Sequence, residues 1–202
     1  IKKNYIEAYN ISTLKKSKDE LNVKCDHFKY CGGCSTQQLD YKKQVQYKEE
    51  QIYDIFKRIA EITYPKINPI IACERIFNYR NKMEFTFSNR PWFVEDETYD
   101  NLVLGLHVPK RFDKILNIDT CHIQNDSFNK ILNIVRNESN KNNLEPYDIT
   151  KHKGFLRYLV LRKGIHTNEI MINIVTSIKK INLLEPIVNV LLKKIKNIKC
   201  IV

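Results

Sequence analysis

Lys82-Met83-Glu84-Phe85-Thr86-Phe87-Ser88 is the stretch on which the fold class turns. Met83, Phe85 and Phe87 fall on one side and Lys82, Glu84 and Thr86 on the other, the two-residue period of a half-buried strand. The same period recurs downstream. Leu102 to Val108 reads as a second strand with Gly105 inside it, and Asp113 to Ile118 as a third. Residues 155–162 and 169–176 are two more, and the polar segment Lys163-Gly164-Ile165-His166-Thr167-Asn168 between them makes an antiparallel hairpin. Glu95-Asp96-Glu97, between the first two strands, reads as a solvated hairpin tip. Residues 5–11 alternate enough for a short strand, and Lys199-Cys200-Ile201-Val202 opens another.

Elsewhere the period is helical. From Gln37 to Ile62, Tyr41, Val45, Ile52, Ile55, Phe56 and Ile59 recur at intervals of three, four and seven, which predicts a helix with a core-facing side, ended by Pro65 and Pro69. Residues 126–140 form a second helix, capped by Asp126 or Ser127, with Phe128, Ile131, Leu132 and Val135 on one face. Asn182 to Ile198 is a third, with Pro186 tolerated in its first turn. The order of elements predicts an α+β fold: a largely antiparallel sheet with flanking helices.

The chain has 202 residues, 43% of them hydrophobic, enough for a packed core and too many for a disordered chain. No apolar run is long enough to span a membrane. Ile1-Lys2-Lys3-Asn4-Tyr5 has no signal-peptide pattern and no initiator Met, so a soluble, cytoplasmic piece of a longer protein is expected. Lys and Arg number 34 against 23 Asp and Glu, a formal charge of +11. Such a surplus suits a nucleic-acid partner through phosphate neutralisation. A composition weighted toward Lys, Ile and Asn accounts for the same surplus as ordinary solvated surface.

There are six cysteines. Cys25-Asp26-His27-Phe28-Lys29-Tyr30-Cys31-Gly32-Gly33-Cys34 holds three of them in ten residues, and Gly-Gly lets the backbone close around a bound group. Three thiolates are one short of a tetrahedral zinc site or a cubane iron–sulfur cluster. The fourth ligand is Cys121, or a nitrogen of His27 or His122, and spacing alone leaves zinc and iron–sulfur both open. Cys73, among Ile70, Ile71 and Ala72, and Cys200, in an apolar strand start, read as packed inert thiols.

Taken together, the motifs resemble a known family. Cys25-x5-Cys31-Gly32-Gly33-Cys34, followed by Gln37-Gln38-Leu39, Tyr41, Gln44 and Lys48, is similar to the signature of the iron–sulfur RNA (uracil-C5) methyltransferases. Asn78-Tyr79-Arg80-Asn81-Lys82-Met83-Glu84-Phe85 resembles that family's Tyr-Arg-x-Lys strand. The stretch from Gly105 to Asp113, then Ile118 to Gln124, resembles the part carrying its distant fourth cluster cysteine. Gly154 to Arg162 resembles the hairpin that follows, so the ordered match runs over residues 20–180.

The resemblance implies a 4Fe–4S cluster on Cys25, Cys31, Cys34 and Cys121, closed to substrate and structural in role. It implies that residues 1–20 are the tail of an N-terminal TRAM/OB-like domain plus linker, and residues 21–202 the central iron–sulfur domain, truncated before the methyltransferase domain. The Rossmann-like methyltransferase domain is absent, and no Gly-rich strand–turn–helix for S-adenosylmethionine is found. The implied chemistry is 5-methyluridine formation in RNA, 23S rRNA first and tRNA as the alternative. A cysteine adds to C6 of uracil, C5 attacks the methyl group, and a base removes the C5 proton. Nucleophile and base belong to the absent domain, so no catalytic residue is expected here and the chain alone is expected to be inactive. The competing reading is a freestanding, non-catalytic iron–sulfur or zinc RNA-binding module. In either case the protein is read as monomeric, with no membrane partner.

Candidate RNA contacts are Arg80 and Lys82, two apart on one strand, and Lys110 and Arg111, in a loop before the fourth ligand. Phe28 and Tyr30 either stack on a splayed base or shield the cluster. His107 and His122 read as structural.

Overall fold

The computed structural model describes residues 6, 8, 10–62, 66–94 and 101–202. They divide into two compact units, residues 1–23 with 36–72 and residues 24–35 with 73–202. Of the strand expected over 5–11, Tyr5, Glu7 and Tyr9 lie outside the described residues and the others are in no regular element. Pro65 and the acidic tip Glu95-Asp96-Glu97 also lie outside them.

The first unit is carried by helix α1, Tyr41–Arg58. It starts four residues later than expected because Thr36 to Leu39 closes a turn, Leu39 N–H donating to the Thr36 carbonyl at 3.0 Å. Asp40 then caps it, its Oδ1 accepting from Lys42 N at 3.0 Å and Lys43 N at 3.4 Å. It stops four residues early because Ala60 N reaches back to the Ile55 carbonyl and Ile62 N to that of Phe56, with Glu61 at φ 55°. The expected core-facing side is not buried: Ile52, Ile55 and Ile59 are 44%, 49% and 77% exposed. The helical period marks a face as apolar, and in this unit no α1 side chain is buried.

The second unit holds a six-stranded sheet in the order β3-β2-β1-β4-β5-β6. The strands are β1 Lys82–Ser88, β2 Val103–Val108, β3 Arg111–Asn117, β4 Leu156–Lys163, β5 Ile170–Thr176 and β6 Ile198–Ile201. Four pairings are antiparallel and one, β5 with β6, is parallel. That makes the sheet mixed, with the antiparallel part dominant. The parallel pair is reached through helix α3, Glu185–Lys194, as a parallel connection requires. Helix α2, Asp126–Lys141, lies between β3 and β4 in the chain.

Alternation along β1 explains the core. Met83, Phe85 and Phe87 are at most 2% exposed, and Cα register puts Phe85 opposite Leu159, Met83 opposite Leu161 and Phe87 opposite Leu104. Ile172 of β5 continues the layer. The helices close it with Phe128, Ile131, Leu132 and Val135 of α2 and Ile187 and Leu191 of α3, all fully buried. On the other side of the sheet, Lys82, Glu84 and Thr86 align with Arg162, Val160 and Tyr158, exposed or half-buried. Gly105 sits in β2 where any Cβ would overlap the Leu116 carbonyl oxygen of β3.

Several boundaries shift for local reasons. α2 is capped by Asn125, whose Oδ1 accepts from Ser127 N at 3.1 Å, one residue ahead of the expected caps. The expected start of the third helix, residues 181–184, is a 3₁₀ turn, and α3 ends at Lys194 because Ile195 is extended and leads into β6. β3 begins at Arg111 because Lys110, at φ 63°, already makes the hairpin turn.

Asp148, 7% exposed, fastens the loop after α2 to the end of β1. Its carboxylate accepts from Thr150 N at 2.8 Å, Lys151 N at 3.0 Å, Arg90 Nη2 at 3.3 Å and Asn89 Nδ2 at 3.4 Å. The two backbone N–H groups, with help from Asn89 and Arg90, hold its pKa down at about 2. The ionised form therefore stabilises the fold fully above the ordinary value of about 3.9, and that contribution is lost as pH falls through about 2. Asp148→Asn should lower Tm at neutral pH. In thermal melts across pH 2–7, its deficit against the unmodified chain should shrink as pH drops from about 4 to about 2.

Candidate metal centre

Lys24 to Ser35 belong to the second unit, with Cys121. The cysteine loop is a succession of tight turns: Phe28 N donates to the Cys25 carbonyl at 3.1 Å, and Tyr30 N and Cys31 N to that of His27 at 3.0 and 2.8 Å. Gly33 N then points at Cys31 Sγ, 3.3 Å away. Gly32 N donates to the His107 carbonyl of β2 at 3.1 Å, and a Cβ on Gly32 would stand 2.8 Å from that oxygen. Glycine is needed here for close approach to the strand.

Cys121 is held by the polar side of α2. Its N–H donates to Asn129 Oδ1 at 2.9 Å and its carbonyl accepts from Asn129 Nδ2 at 3.3 Å. Asn133 Nδ2 donates to the Asp119 carbonyl at 2.9 Å, and Arg136 Nη1 to the Ile118 carbonyl at 2.9 Å. Residues 129, 133 and 136 stand one helical turn apart, so a single half-buried polar stripe flanking the apolar face shapes the whole Asn117–Cys121 loop. Sequence reasoning overlooked this stripe, although its i, i+4, i+7 spacing is legible. A direct tie joins the two loops, Asp119 N donating to His27 Nε2 at 3.4 Å.

Three of the thiols respond to their surroundings. Burial pushes up the pKa of Cys25, Cys31 and Cys121, Cys31 to about 11, and neighbouring cysteine charges push in the same direction. For Cys25 those neighbours are Cys121 and Cys34; for Cys31 they are Cys121, Cys34 and Cys25. Cys121 is buried and the other three are half-buried; Cys31 and Cys34, like Tyr30, Trp92 and Leu106, pack against the core. Among the described residues, no three His, Cys, Asp or Glu side chains stand as ligands of one metal ion. By donor chemistry alone, the sulfurs of Cys25, Cys31, Cys34 and Cys121 would suit an iron–sulfur group.

The other candidates take different places. His27 is occupied with Asp119 N–H, and the His122 ring packs edge-on against Phe77 at 6.3 Å. Tyr30 packs on Trp92 at 6.5 Å, and Phe28 is half-buried. Cys73 and Cys200 are exposed, in contrast to the packed thiols expected: around Cys73 the apolar neighbours are exposed too, Ile71 by 96%, and in β6 it is Ile198 and Ile201 that turn inward while Cys200 does not. Arg80 lies ahead of β1, outside it, bridged to Gln124, its N–H donating to the Ile123 carbonyl at 2.8 Å. Its charge acts on Cys121, lowering that thiol's pKa against the effect of burial. Lys82 is exposed on β1. Arg111 is the first residue of β3, not part of a loop, and grips Asp113 through Nε and Nη2, both at 3.0 Å. Lys110 stands in the turn beside it.

No family model matches the chain. It is 34% identical over 184 residues to an uncharacterized RNA methyltransferase of Chlorobaculum tepidum, covering 88% of this chain and 38% of that protein. An uncharacterized RNA methyltransferase of Bacteroides thetaiotaomicron is 36% identical over 183 residues, covering 88% and 40%. One of Caldanaerobacter subterraneus is 32% identical over all 202 residues and 42% of its own length. The chain thus spans about two fifths of the curated relatives it matches. Among solved structures, the Pyrococcus abyssi tRNA (uracil-54, C5)-methyltransferase in complex with S-adenosyl-L-homocysteine superposes with a TM-score of 0.59 at 25% identity, over 86% of this chain and 35% of that one. Its relatives carry the name of RNA methyltransferases. No helix among the described residues is long and apolar enough to cross a membrane.

Proposed function

We propose that this chain is the central, iron–sulfur part of an S-adenosylmethionine-dependent RNA methyltransferase that makes 5-methyluridine, with 23S rRNA as the favoured target and tRNA as the alternative. The observation that carries the reading is that the loop of Cys25, Cys31 and Cys34 shares one compact unit with Cys121, about ninety residues further on, and that the Cys121 charge acts on Cys25 and Cys31. Relatives named for RNA methylation and a structural likeness to a uracil-C5 enzyme support it.

A bound 4Fe–4S cluster would supply a covalent cross-link between two loops, removing chain entropy from the unfolded state. The protein's own part is to orient the sulfurs. Gly32 lets the first loop lie against β2, and Asn129, Asn133 and Arg136 set the second. Arg80, Lys82, Lys110 and Arg111 serve RNA in this reading. Lys82 is the most available of them, and Arg111 the least, since Asp113 already neutralises it. Residues 1–20 are assigned to the tail of a TRAM/OB-like domain, and the protein to the cytoplasm as a monomer.

S-adenosylmethionine binding, the cysteine nucleophile and the C5 base are assigned to other parts of the enzyme. The 202-residue chain, purified anaerobically and incubated with methyl-labelled S-adenosylmethionine and RNA, should transfer no label. Methylated uridine in that assay would overturn the assignment. A colourless protein with stoichiometric zinc would overturn the cluster.

A further inference from the structure

The side of the sheet away from α2 and α3 carries a pocket of about 230 Å³ that the metal centre does not use. Thr86, His107, Phe112, Tyr147, Arg157 and Tyr158 are among its walls. The charges around it are unevenly satisfied. Arg90 is taken by Asp148 at 3.3 Å and Asp113 by Arg111. Arg157 makes no ion pair among the described residues; its guanidinium lies 4.8 Å from the Tyr147 ring and 5.5 Å from the Tyr158 ring. Packing against two aromatic rings fixes the guanidinium while leaving its N–H donors for an outside acceptor. Phe112, at the pocket wall, is 79% exposed, a large apolar ring in water beside an uncompensated cation.

We propose that this pocket binds one unpaired nucleotide of an RNA strand, its base stacked among Phe112, Tyr158 and His107 and its phosphate or base carbonyl held by Arg157. The proposal rests on the reading above that the chain handles RNA. Aromatic rings with an arginine are the usual means of holding splayed single-stranded bases. The volume lies below the roughly 300–1,000 Å³ of pockets for drug-sized ligands, which suits one nucleotide of a longer strand. The same sheet face continues the path. Four residues along β1 and β4, roughly 13 Å at strand rise, Lys82 and Arg162 stand opposite each other for a neighbouring phosphate. His107 also joins this pocket to the metal centre, because its ring touches Thr86 Oγ1 at 3.3 Å while its carbonyl holds Gly32.

The test is binding of a short fluorescent single-stranded RNA, 4-thiouridine-substituted for photocrosslinking, to the full chain and its variants. Arg157→Ala and Phe112→Ala should each weaken binding by about 5- to 150-fold, the range of a lost stacking or arginine contact. Lys193→Ala, on the exposed side of α3, should change it less than twofold. Crosslinks should map to β4 and the β2–β3 turn. Phe112 is so exposed that its removal cannot unfold the chain, and Arg157→Lys separates fork geometry from charge. Unchanged binding in both alanine variants, with the unmodified chain binding RNA, would overturn the pocket and spare the RNA reading. No binding by the unmodified chain would overturn both. Loss in Arg157→Ala with Phe112→Ala and Tyr158→Ala unaffected would leave an anion site and overturn the nucleotide assignment.

Discussion

Cys121→Ala leaves the chain without iron: anaerobically purified protein should fall from about four irons per chain to essentially none, as completely as Cys31→Ala. The expectation follows from where the thiol stands. Cys121 is buried, fixed through its own N–H and carbonyl by Asn129, and charge-coupled to the cysteine loop. The histidines have other partners, His27 Nε2 accepting from Asp119 N–H and the His122 ring packing on Phe77. Cys73→Ala and Cys200→Ala provide the contrast, since both thiols are exposed and neither is among the charges acting on the set. Both should keep full iron and visible absorbance. Full iron in Cys121→Ala would show that the fourth ligand lies elsewhere.

Phe85→Ala should destabilise the second unit by about 3–5 kcal/mol, measured by urea denaturation. Phe85 is 0% exposed on β1, with β2 on one side, β4 on the other, and the helical layer above it. Its removal leaves a cavity that both neighbouring strands resist closing, because each is pinned by its own ladder. Against a typical total of about 5–15 kcal/mol, the loss is a large share. A midpoint shift equivalent to less than about 1 kcal/mol would mean that the sheet relaxes around the gap.

What could be read from the residues depended on whether the deciding contact was local. The period of two in β1, β4 and β5 is written in neighbouring side chains, and the apolar face of α2 in Phe128, Ile131, Leu132 and Val135; both were legible. Helix ends were less so. Asn125 competes with Asp126 and Ser127 for the cap, and only backbone geometry decides among three residues of similar chemistry. The stripe on α1 was legible as apolar, but periodicity carries no information about what covers a face, and the structure leaves Ile55 and Ile59 exposed. For the proposed metal centre, clustering in the sequence singles out Cys25, Cys31 and Cys34, and Cys121 enters only through the family resemblance, because no local pattern links it to a loop about ninety residues away. The pocket was illegible altogether, since Tyr147, Arg157, His107 and Phe112 come from four separate stretches and only the sheet assembles them.

The position of β1 in the middle of the sheet has a consequence in time. Among the strands of this sheet it is the first to be synthesised, yet Phe85 must wait for Leu159, with β2, β3 and α2 still to be made. At about 5–20 residues per second, that wait lasts on the order of 4–15 s. For the later half of that interval, after β3 is made, one long edge of the nascent three-stranded meander is unpaired and its apolar face is covered by α2 at most. The vulnerable species in this protein's biosynthesis is thus the half-made sheet, and translation speed through residues 118–156 sets how long it is exposed to misassociation.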